Sequence, residues 1–445
     1  MKDLLNNIFK LDQNNTTIRT EVMAGITTFM TMSYILIVNP SILSATGMDF
    51  NALITATAIA AAVGTLVMAF VANYPFALAP GMGLNAFFAF VVVLQMGYSW
   101  QMALTAIFVE GIIFILLSLF NIREALFNAI PQTLKKAVGV GIGLFITFIG
   151  FQNAGIIIND DSTLVSLGNL KSITVFLAIV GIIITALLLV KKIKGAILWG
   201  ILITYLLGVI AQMMGIYAVN PDLGMYSLIP NGIVSTPPDV SPIFFKFDFT
   251  NLFTIDFLVV IFTFLFVDLF DTLGTLIGVS SKAGFLDKDG KLPRIKGALM
   301  ADAVATSVGA IFGTSTTTTY VESASGVADG GRTGLTAFTT AMLFLLALFF
   351  SPIISVIPSF ATAPALIIVG LFMIENVVEI NFTDYTEALP AFLTIIMMPL
   401  AYSISDGLAF GGISYVLIKL LSGKSKDIHP VMYGIAFMFL IYFIL

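Results

Sequence analysis

Two aspartates three residues apart stand inside an apolar stretch: Phe266-Val267-Asp268-Leu269-Phe270-Asp271-Thr272-Leu273-Gly274-Thr275. On a helix, positions i and i+3 share a face, so Asp268 and Asp271 point the same way, with Thr275 one turn beyond Asp271. A charged group at bilayer depth costs at least about 2.5 kcal/mol, and contact with lipid does not explain either acid. Glu322 follows a run of threonines, and Asn85 precedes the aromatic pair Phe87 and Phe88. Glu110 and Asp302 are also acidic residues in apolar surroundings, with less polar company. No Lys or Arg lies well inside any of these stretches. Desolvation favours the neutral form of an acid that lacks a cation, so one or more of Asp268, Asp271 and Glu322 is expected to hold a proton near neutral pH. A carboxyl that is donor in one state and acceptor in the other suits proton-coupled carriage of a neutral, hydrogen-bonding solute. The plainer alternative is an acid that ties helices together through Ser, Thr or backbone groups, and it weighs most for Asp302 and Glu110. Phe87 and Phe88 could stack on a flat ring, although 40 phenylalanines mean that most serve packing or face lipid.

The elements that must hold these residues are membrane helices. The 445 residues are 58% hydrophobic and 10% charged, with a mean hydropathy of +1.04. Soluble domains are about one-quarter charged, so most of this surface must meet lipid. No polar stretch is long enough for a separate soluble domain, and no basic stripe suggests nucleic acid. With no cysteine, disulfides, thiolate metal sites and cysteine nucleophiles are excluded. The one histidine, His429, lies in a polar C-terminal loop and reads as solvated. No metal and no cofactor is therefore expected. The polar start, Met1 to Arg19, and the long first apolar run, Val22 to Leu43, do not fit a cleavable signal peptide.

Apolar runs of about 20 residues, enough to cross a bilayer, mark fourteen spans: 21–44, 52–72, 76–95, 101–120, 131–151, 172–190, 195–214, 254–279, 295–312, 314–330, 333–351, 359–377, 386–403 and 406–421. A last run, 431–445, fits a half-span or an interfacial helix. With Lys2, Lys10 and Arg19 inside, alternate loops place Arg123, Lys135, Lys136, the Lys191–Lys194 turn, Lys282 to Lys296, Arg332, Lys419, Lys424 and Lys426 on the same side. Loops 152–171 and 215–253 carry few basic residues. The bias puts the N-terminus in the cytoplasm and the protein in the cell's inner, or plasma, membrane.

The halves repeat. Ala56-Thr57-Ala58-Ile59-Ala60-Ala61-Ala62-Val63-Gly64 matches Ala301-Asp302-Ala303-Val304-Ala305-Thr306-Ser307-Val308-Gly309 without a gap. Ile130-Pro131 and Gly143-Leu144-Phe145 recur as Ile357-Pro358 and Gly370-Leu371-Phe372 at the same spacing. Seven crossings per unit is odd, so the second copy must be inverted. Each half also holds one broken segment. Tyr74 to Phe88 carries Pro75, Pro80, Gly81 and Gly83, which prevent helix before Met82. Gly313 to Gly326 carries the Thr316–Thr319 run, which favours a strand before a short helix. Extended backbone at membrane depth survives only inside protein or along a cavity, and paired interruptions point to a binding site.

The stretches Pro80-Gly81-Met82-Gly83-Leu84-Asn85-Ala86-Phe87-Phe88, Val267 to Thr272 and Thr316 to Ser323 resemble the hypoxanthine/guanine/adenine permeases of the AzgA-like branch. That branch belongs to the nucleobase–cation symporter-2, or nucleobase/ascorbate, superfamily. The stretch Gly284-Phe285-Leu286-Asp287 to Arg294 and the sequence Ala328-Asp329-Gly330-Gly331-Arg332-Thr333-Gly334 are similar to it too, and the likeness covers nearly the whole chain. It implies an all-α polytopic fold of 14 segments in a 7+7 inverted repeat, with a core domain (1–120 and 254–351), a gate domain (121–253 and 352–430) and a C-terminal apolar segment (431–445). It further implies that Asp271 and Glu322 bind the solute. The histidine that relatives carry one turn after the acid of span 8 is Thr275 here, which shifts coupling onto carboxyls.

The resulting expectation is a purine nucleobase:proton symporter, with guanine or hypoxanthine ahead of adenine and sodium the weaker coupling ion. Asp271, Glu322, Asn85, Thr275, Phe87 and Phe88 would bind substrate, and Asp268, Asp271 and Glu322 would couple the proton. A homodimer is compatible with this reading. One rival is an anion carrier of the same architecture, although several acids at the centre count against it. The other rival, an intramembrane aspartyl enzyme, gives no reason for a duplicated unit.

Overall fold

The computed structural model describes residues 2–120, 129–220, 225–250, 252–287 and 292–444. Arg123 and residues 288–291, which belong to the basic loops above, lie outside the described residues. A short helix α1 (Lys2–Phe9) precedes α2 (Ile18–Met32), α3 (Ile35–Leu43) and α4 (Phe50–Val67). The first broken segment gives β1 (Leu78–Pro80) and α5 (Met82–Ala86), which continues with wider turns through Gln95. Then come α6 (Trp100–Leu119), α7 (Gln132–Asn153), the hairpin β2 (Ile157–Asp160) and β3 (Leu164–Leu167), α8 (Ile173–Val190) and α9 (Ala196–Met213). The second half opens with α10 (Ile255–Ala283) and α11 (Ile295–Phe312). Its broken segment gives β4 (Thr317–Thr319) and α12 (Ser323–Ala328). The chain ends with α13 (Gly334–Ala347), α14 (Ser359–Ile374), α15 (Tyr385–Leu400), α16 (Ile404–Leu421) and α17 (Pro430–Ile444).

Local chemistry sets many of these boundaries. Thr17, Asp49, Ser99, Thr333 and Ser403 each accept a backbone N–H at a helix start, as N-cap residues do. Gly313, at φ +92°, ends α11 in the left-handed conformation that glycine adopts without strain. Among the described residues, eleven helices are long and apolar enough to cross a membrane. They correspond to eleven of the fourteen spans read from the sequence. The other three are shorter: Met82–Gln95 is a half-helix, 314–330 is a strand and a six-residue helix, and Tyr385–Leu400 contains Pro390 and Pro399. The first span is also not one straight helix. Between α2 and α3 the bonds Leu36 N–H to Ser33 O and Ile37 N–H to Tyr34 O are of the tighter i to i+3 kind. The final run is helical and packs on α10 through Phe439 against Phe262 and Phe266.

Equivalent residues of the two halves meet. A Cβ on Gly143 of α7 would lie 2.8 Å from the Gly370 carbonyl of α14, and one on Gly370 would lie 2.5 Å from the Gly143 carbonyl. Such a reciprocal contact is what a two-fold relation produces. The two matched segments also touch, since Gly64 of α4 admits Ala305 of α11, with 2.5 Å from its would-be Cβ to the Ala305 methyl. The strands that break each half pair antiparallel, Leu78 with Thr319, Ala79 with Thr318 and Pro80 with Thr317. Around them α11 packs on α4 and α6, and α13 on α2 and α4. Elsewhere α7 packs on α14 and α15, α8 on α9 and α14, and α15 on α16. Helix α10 lies between these groups, touching α6, β4 and α12 on one side and α7 and α17 on the other.

Candidate functional site

The β1–β4 pair is the floor of the site, and its backbone is satisfied from all directions. Gly81 N–H donates to Thr316 O at 2.9 Å, and Tyr320 N–H to Ala77 O at 2.9 Å. The Thr65 hydroxyl of α4 serves Leu78, and the Thr306 hydroxyl of α11 donates to Thr317 O at 3.1 Å. The Tyr320 hydroxyl donates to Pro80 O at 2.6 Å. These contacts let extended chain exist inside a helical bundle.

Two partly exposed acids flank that floor. Asp271 of α10 accepts from the Thr318 hydroxyl at 3.3 Å. It lies so close to the first broken segment that a Cβ on Gly81 would sit 3.2 Å from its Oδ2 and 2.6 Å from Thr318 Cγ2. Glu322, at the start of α12, accepts from the Tyr34 hydroxyl at 2.6 Å. Neither acid forms an ion pair among the described residues. Beyond Asp271 the same face of α10 carries Gly274 and Gly278, both exposed with open space where a Cβ would be, and the half-buried Thr275. Asn85 is fully buried; its Oδ1 accepts from the Ser315 hydroxyl, and its Nδ2 has no hydrogen-bond partner among the described residues.

The remaining acids are deeper. Asp268 and Asp302, both fully buried, are bridged by the Thr272 hydroxyl, which lies 3.1 Å from Asp268 Oδ1 and also contacts Asp302 Oδ1. A hydroxyl owns one proton, so both contacts are hydrogen bonds only when one carboxyl is itself the donor. Glu110 accepts from the Thr316 hydroxyl at 2.8 Å. Phe87 and Phe88 are fully buried, as Asn85 is, and Phe87 meets Phe264 edge-on with centroids 4.7 Å apart.

Tyr34, Thr318, Thr272 and Glu21 are residues that sequence reasoning missed. Tyr34 is one aromatic in a long apolar run, and only the irregular backbone at Ser33–Tyr34 sets it apart. Thr318 was visible as one of four threonines, and alternation along a strand could have separated it from its neighbours. Glu21 stands at the polar edge of the first span, where it reads as an ordinary first-turn acid. Among the described residues no cluster of three or more His, Cys, Asp or Glu could hold a metal ion.

Comparison with known proteins gives this geometry its family. Residues 19–410 match the family model for the nucleobase/ascorbate permeases. The guanine/hypoxanthine permease PbuG of Bacillus subtilis is 47% identical, the alignment covering 98% of each chain. The adenine permease AdeP of Escherichia coli is 45% identical over 98% of this chain and 95% of its own. The transmembrane domain of the cyanobacterial bicarbonate transporter BicA has a similar fold, with a TM-score of 0.64 at 14% identity over 89% of this chain and 97% of that domain. The chain is a multi-pass membrane permease rather than an enzyme, and it belongs to the nucleobase/ascorbate transporter family.

Proposed function

We propose that this permease imports a purine nucleobase, guanine or hypoxanthine ahead of adenine, together with a proton. The observation that carries the reading is the pair of partly exposed acids, Asp271 and Glu322, flanking the β1–β4 floor without a cation. A purine presents ring and exocyclic N–H groups, which two carboxyls would accept, together with carbonyl and ring-nitrogen acceptors. The unpartnered Nδ2 of Asn85 and the first N–H groups of the Met82–Gln95 half-helix would serve those acceptors. Thr275 lies one turn from Asp271 on the open face and would border the base. The Asp268–Thr272–Asp302 bridge, which is complete only with a carboxyl proton, supports a coupling role for Asp268 beside Asp271 and Glu322. Sodium is the less favoured coupling ion, because a carboxyl that gains and loses a proton accounts for coupling by itself.

Alternating access would come from a core (1–120 and 254–351) moving against a gate (121–253 and 352–430), in a plasma-membrane protein of fourteen segments with its N-terminus inside. The relatives named for guanine/hypoxanthine and for adenine are nearly equal in identity, which leaves the order of purines to measurement. The fold likeness to a bicarbonate transporter keeps an anion carrier as the second reading, but paired acids at the centre oppose it.

Proteoliposomes loaded with buffer and given an inward proton gradient are expected to accumulate labelled hypoxanthine, guanine or adenine, and to lose that accumulation when the gradient is collapsed. Asp271→Ala and Glu322→Ala should each abolish uptake while leaving the protein in the membrane. Wild-type uptake by both variants would remove these acids from the site, and competition by bicarbonate or sulfate would favour the anion carrier.

A further inference from the structure

Helices α2 and α12 lie against each other in opposite directions, and their spacings match. The Thr27 hydroxyl donates to Asp329 Oδ2 at 2.6 Å, and the Tyr34 hydroxyl to Glu322 Oε1 at 2.6 Å. Thr27 and Tyr34 are seven residues apart, as are Glu322 and Asp329, and Tyr34 stands at the break where α2 gives way to α3. Between the two contacts Gly326 lets the backbones close: a Cβ there would sit 2.7 Å from the Ala24 carbonyl. The half-helix is thus fastened at both ends, Asp329 to α2 through Thr27 and Glu322 to the start of α3 through Tyr34.

Asp329 has one more partner, and it comes from a different part of the bundle. Lys194, in the turn between α8 and α9, forms an ion pair with the same Oδ2 that Thr27 holds. That turn is pressed onto α2, because Gly195 at φ +70° approaches Met30 so closely that a Cβ would lie 2.9 Å from its carbonyl. Glycine is the residue that fits both the positive φ and the approach. Helices α8 and α9 pack mainly on each other and on α14, and α9 makes a smaller contact with α2. The lysine is more than half exposed (58%), and Asp329 is one-quarter exposed. Exposed pairs of this kind are weak and can open within a transport cycle.

We propose that the Lys194–Asp329 pair is an inner latch. Closed, it holds the α8–α9 turn against the far end of the half-helix that carries Glu322, and each transport cycle requires it to open. The inference rests on the reading that the unit bearing Glu322 moves relative to α8 and α9. It goes beyond that reading by naming the contact that must break. A fixed weld between the two parts would use the same residues, and only movement distinguishes the two.

The chain has no cysteine, so Lys194→Cys together with Asp329→Cys introduces its only two thiols. In proteoliposomes the reduced double variant should accumulate purine, lose uptake about tenfold or more once oxidised, and recover with reductant, as expected when one of two required states is locked out. Oxidised protein that transports like the reduced form, or two thiols that never cross-link, would overturn the latch. If removal of the ion pair alone silences the reduced variant, the reversed pair Lys194→Asp with Asp329→Lys decides. It should regain most of what Lys194→Asp alone loses, and no gain over that single variant would sink the idea. Absence of purine uptake by the wild-type chain counts against the proposed substrate only. In that event the latch is read from labelling of Gly278→Cys by an impermeant maleimide, which Lys194→Gln should slow about threefold by depopulating the state seen here. An unchanged rate would overturn it.

Discussion

Two kinds of acid are held within the same bundle, and they differ in who satisfies them. Glu21 is fully buried and takes the N–H groups of Arg332 at 2.9 Å, Thr333 at 3.2 Å and Thr336 at 3.3 Å, with the Thr336 hydroxyl at 2.6 Å. Asp268 and Asp302 are likewise buried and share Thr272. Asp271 and Glu322, by contrast, are partly exposed, each with a single side-chain donor among the described residues. A buried carboxylate persists only where hydrogen bonds offset its lost hydration. Around Glu21 the protein supplies those bonds, and Asp268 and Asp302 share the Thr272 hydroxyl between them. In the second group the protein leaves oxygen lone pairs for water or a ligand. An acid in a membrane span is therefore a clue to function only after its donors are counted.

The sharpest way to break this comparison is Glu21→Ala. It strips several donors at the start of α13, each costing about 1–3 kcal/mol when left buried and unpaired. The folded protein should then be largely lost from the membrane, as measured by the yield of monodisperse protein in detergent. A well-folded, active Glu21→Ala would show that counting donors does not separate the two groups. Asp271→Asn and Glu322→Gln keep the shape and remove the charge. Each should lower uptake about 10- to 100-fold, the loss expected for a hydrogen bond to a charged group, with the thermal midpoint unchanged. A midpoint that falls in step with uptake would place both residues with Glu21 as structural acids.

A smaller effect separates two glycines beside Asp271. Gly81→Ala presses on Thr318 and Asp271 and should weaken purine affinity about tenfold, since small displacements in a site are costly. Gly274→Ala meets nothing within 4 Å and replaces a helical glycine, so uptake should persist while stability rises by up to about 1 kcal/mol. Purine competition curves and thermal melts of the two variants test the contrast, and equal losses would mean that the open face of α10 is not open in the membrane.

The mildest prediction concerns an acid outside the spans. Asp384 is held down to about 2 by the hydroxyl and N–H of Thr386 and by the Lys424 ammonium 3.1 Å away. A carboxyl normally titrates near 3.9. A depressed value contributes stability that is present above about pH 4 and is lost as pH falls towards 2. Wild type should therefore melt slightly above Asp384→Asn at neutral pH, and the two curves should converge between about pH 4 and 2. A constant gap across that range would assign the difference to something other than this carboxylate.

Much of the architecture was legible before any coordinates. Pro75, Pro80 and Gly81, and the threonines 316–319, located both broken segments because proline cannot continue a helix and a β-branched run favours extended chain. Hydropathy located the helices, but it overstated three of them. Pro390 and Pro399 within α15 leave the apolar composition intact while the helix itself has only 16 residues. Of the candidate site, the sequence displayed residue types but not their surroundings. Asp271 and Glu322 stood out as acids in apolar sequence, whereas the full burial of Phe87 and Phe88 was not readable there. Hydrophobicity does not record which way a ring points.

The amino-acid sequence determined the class of the molecule, the order of its hydrophobic elements, the two places where helix must fail, and the repeat that relates the halves. These follow from local chemistry and composition, which each stretch of chain carries with it. Only the tertiary structure decided that Tyr34 reaches Glu322 from 288 residues away, that Thr318 rather than another threonine meets Asp271, and that Asp268 is bridged to Asp302. Those pairings join residues far apart in the chain and depend on helix rotation and on the register of a three-residue strand pair, where a shift of one residue turns every side chain to the other face.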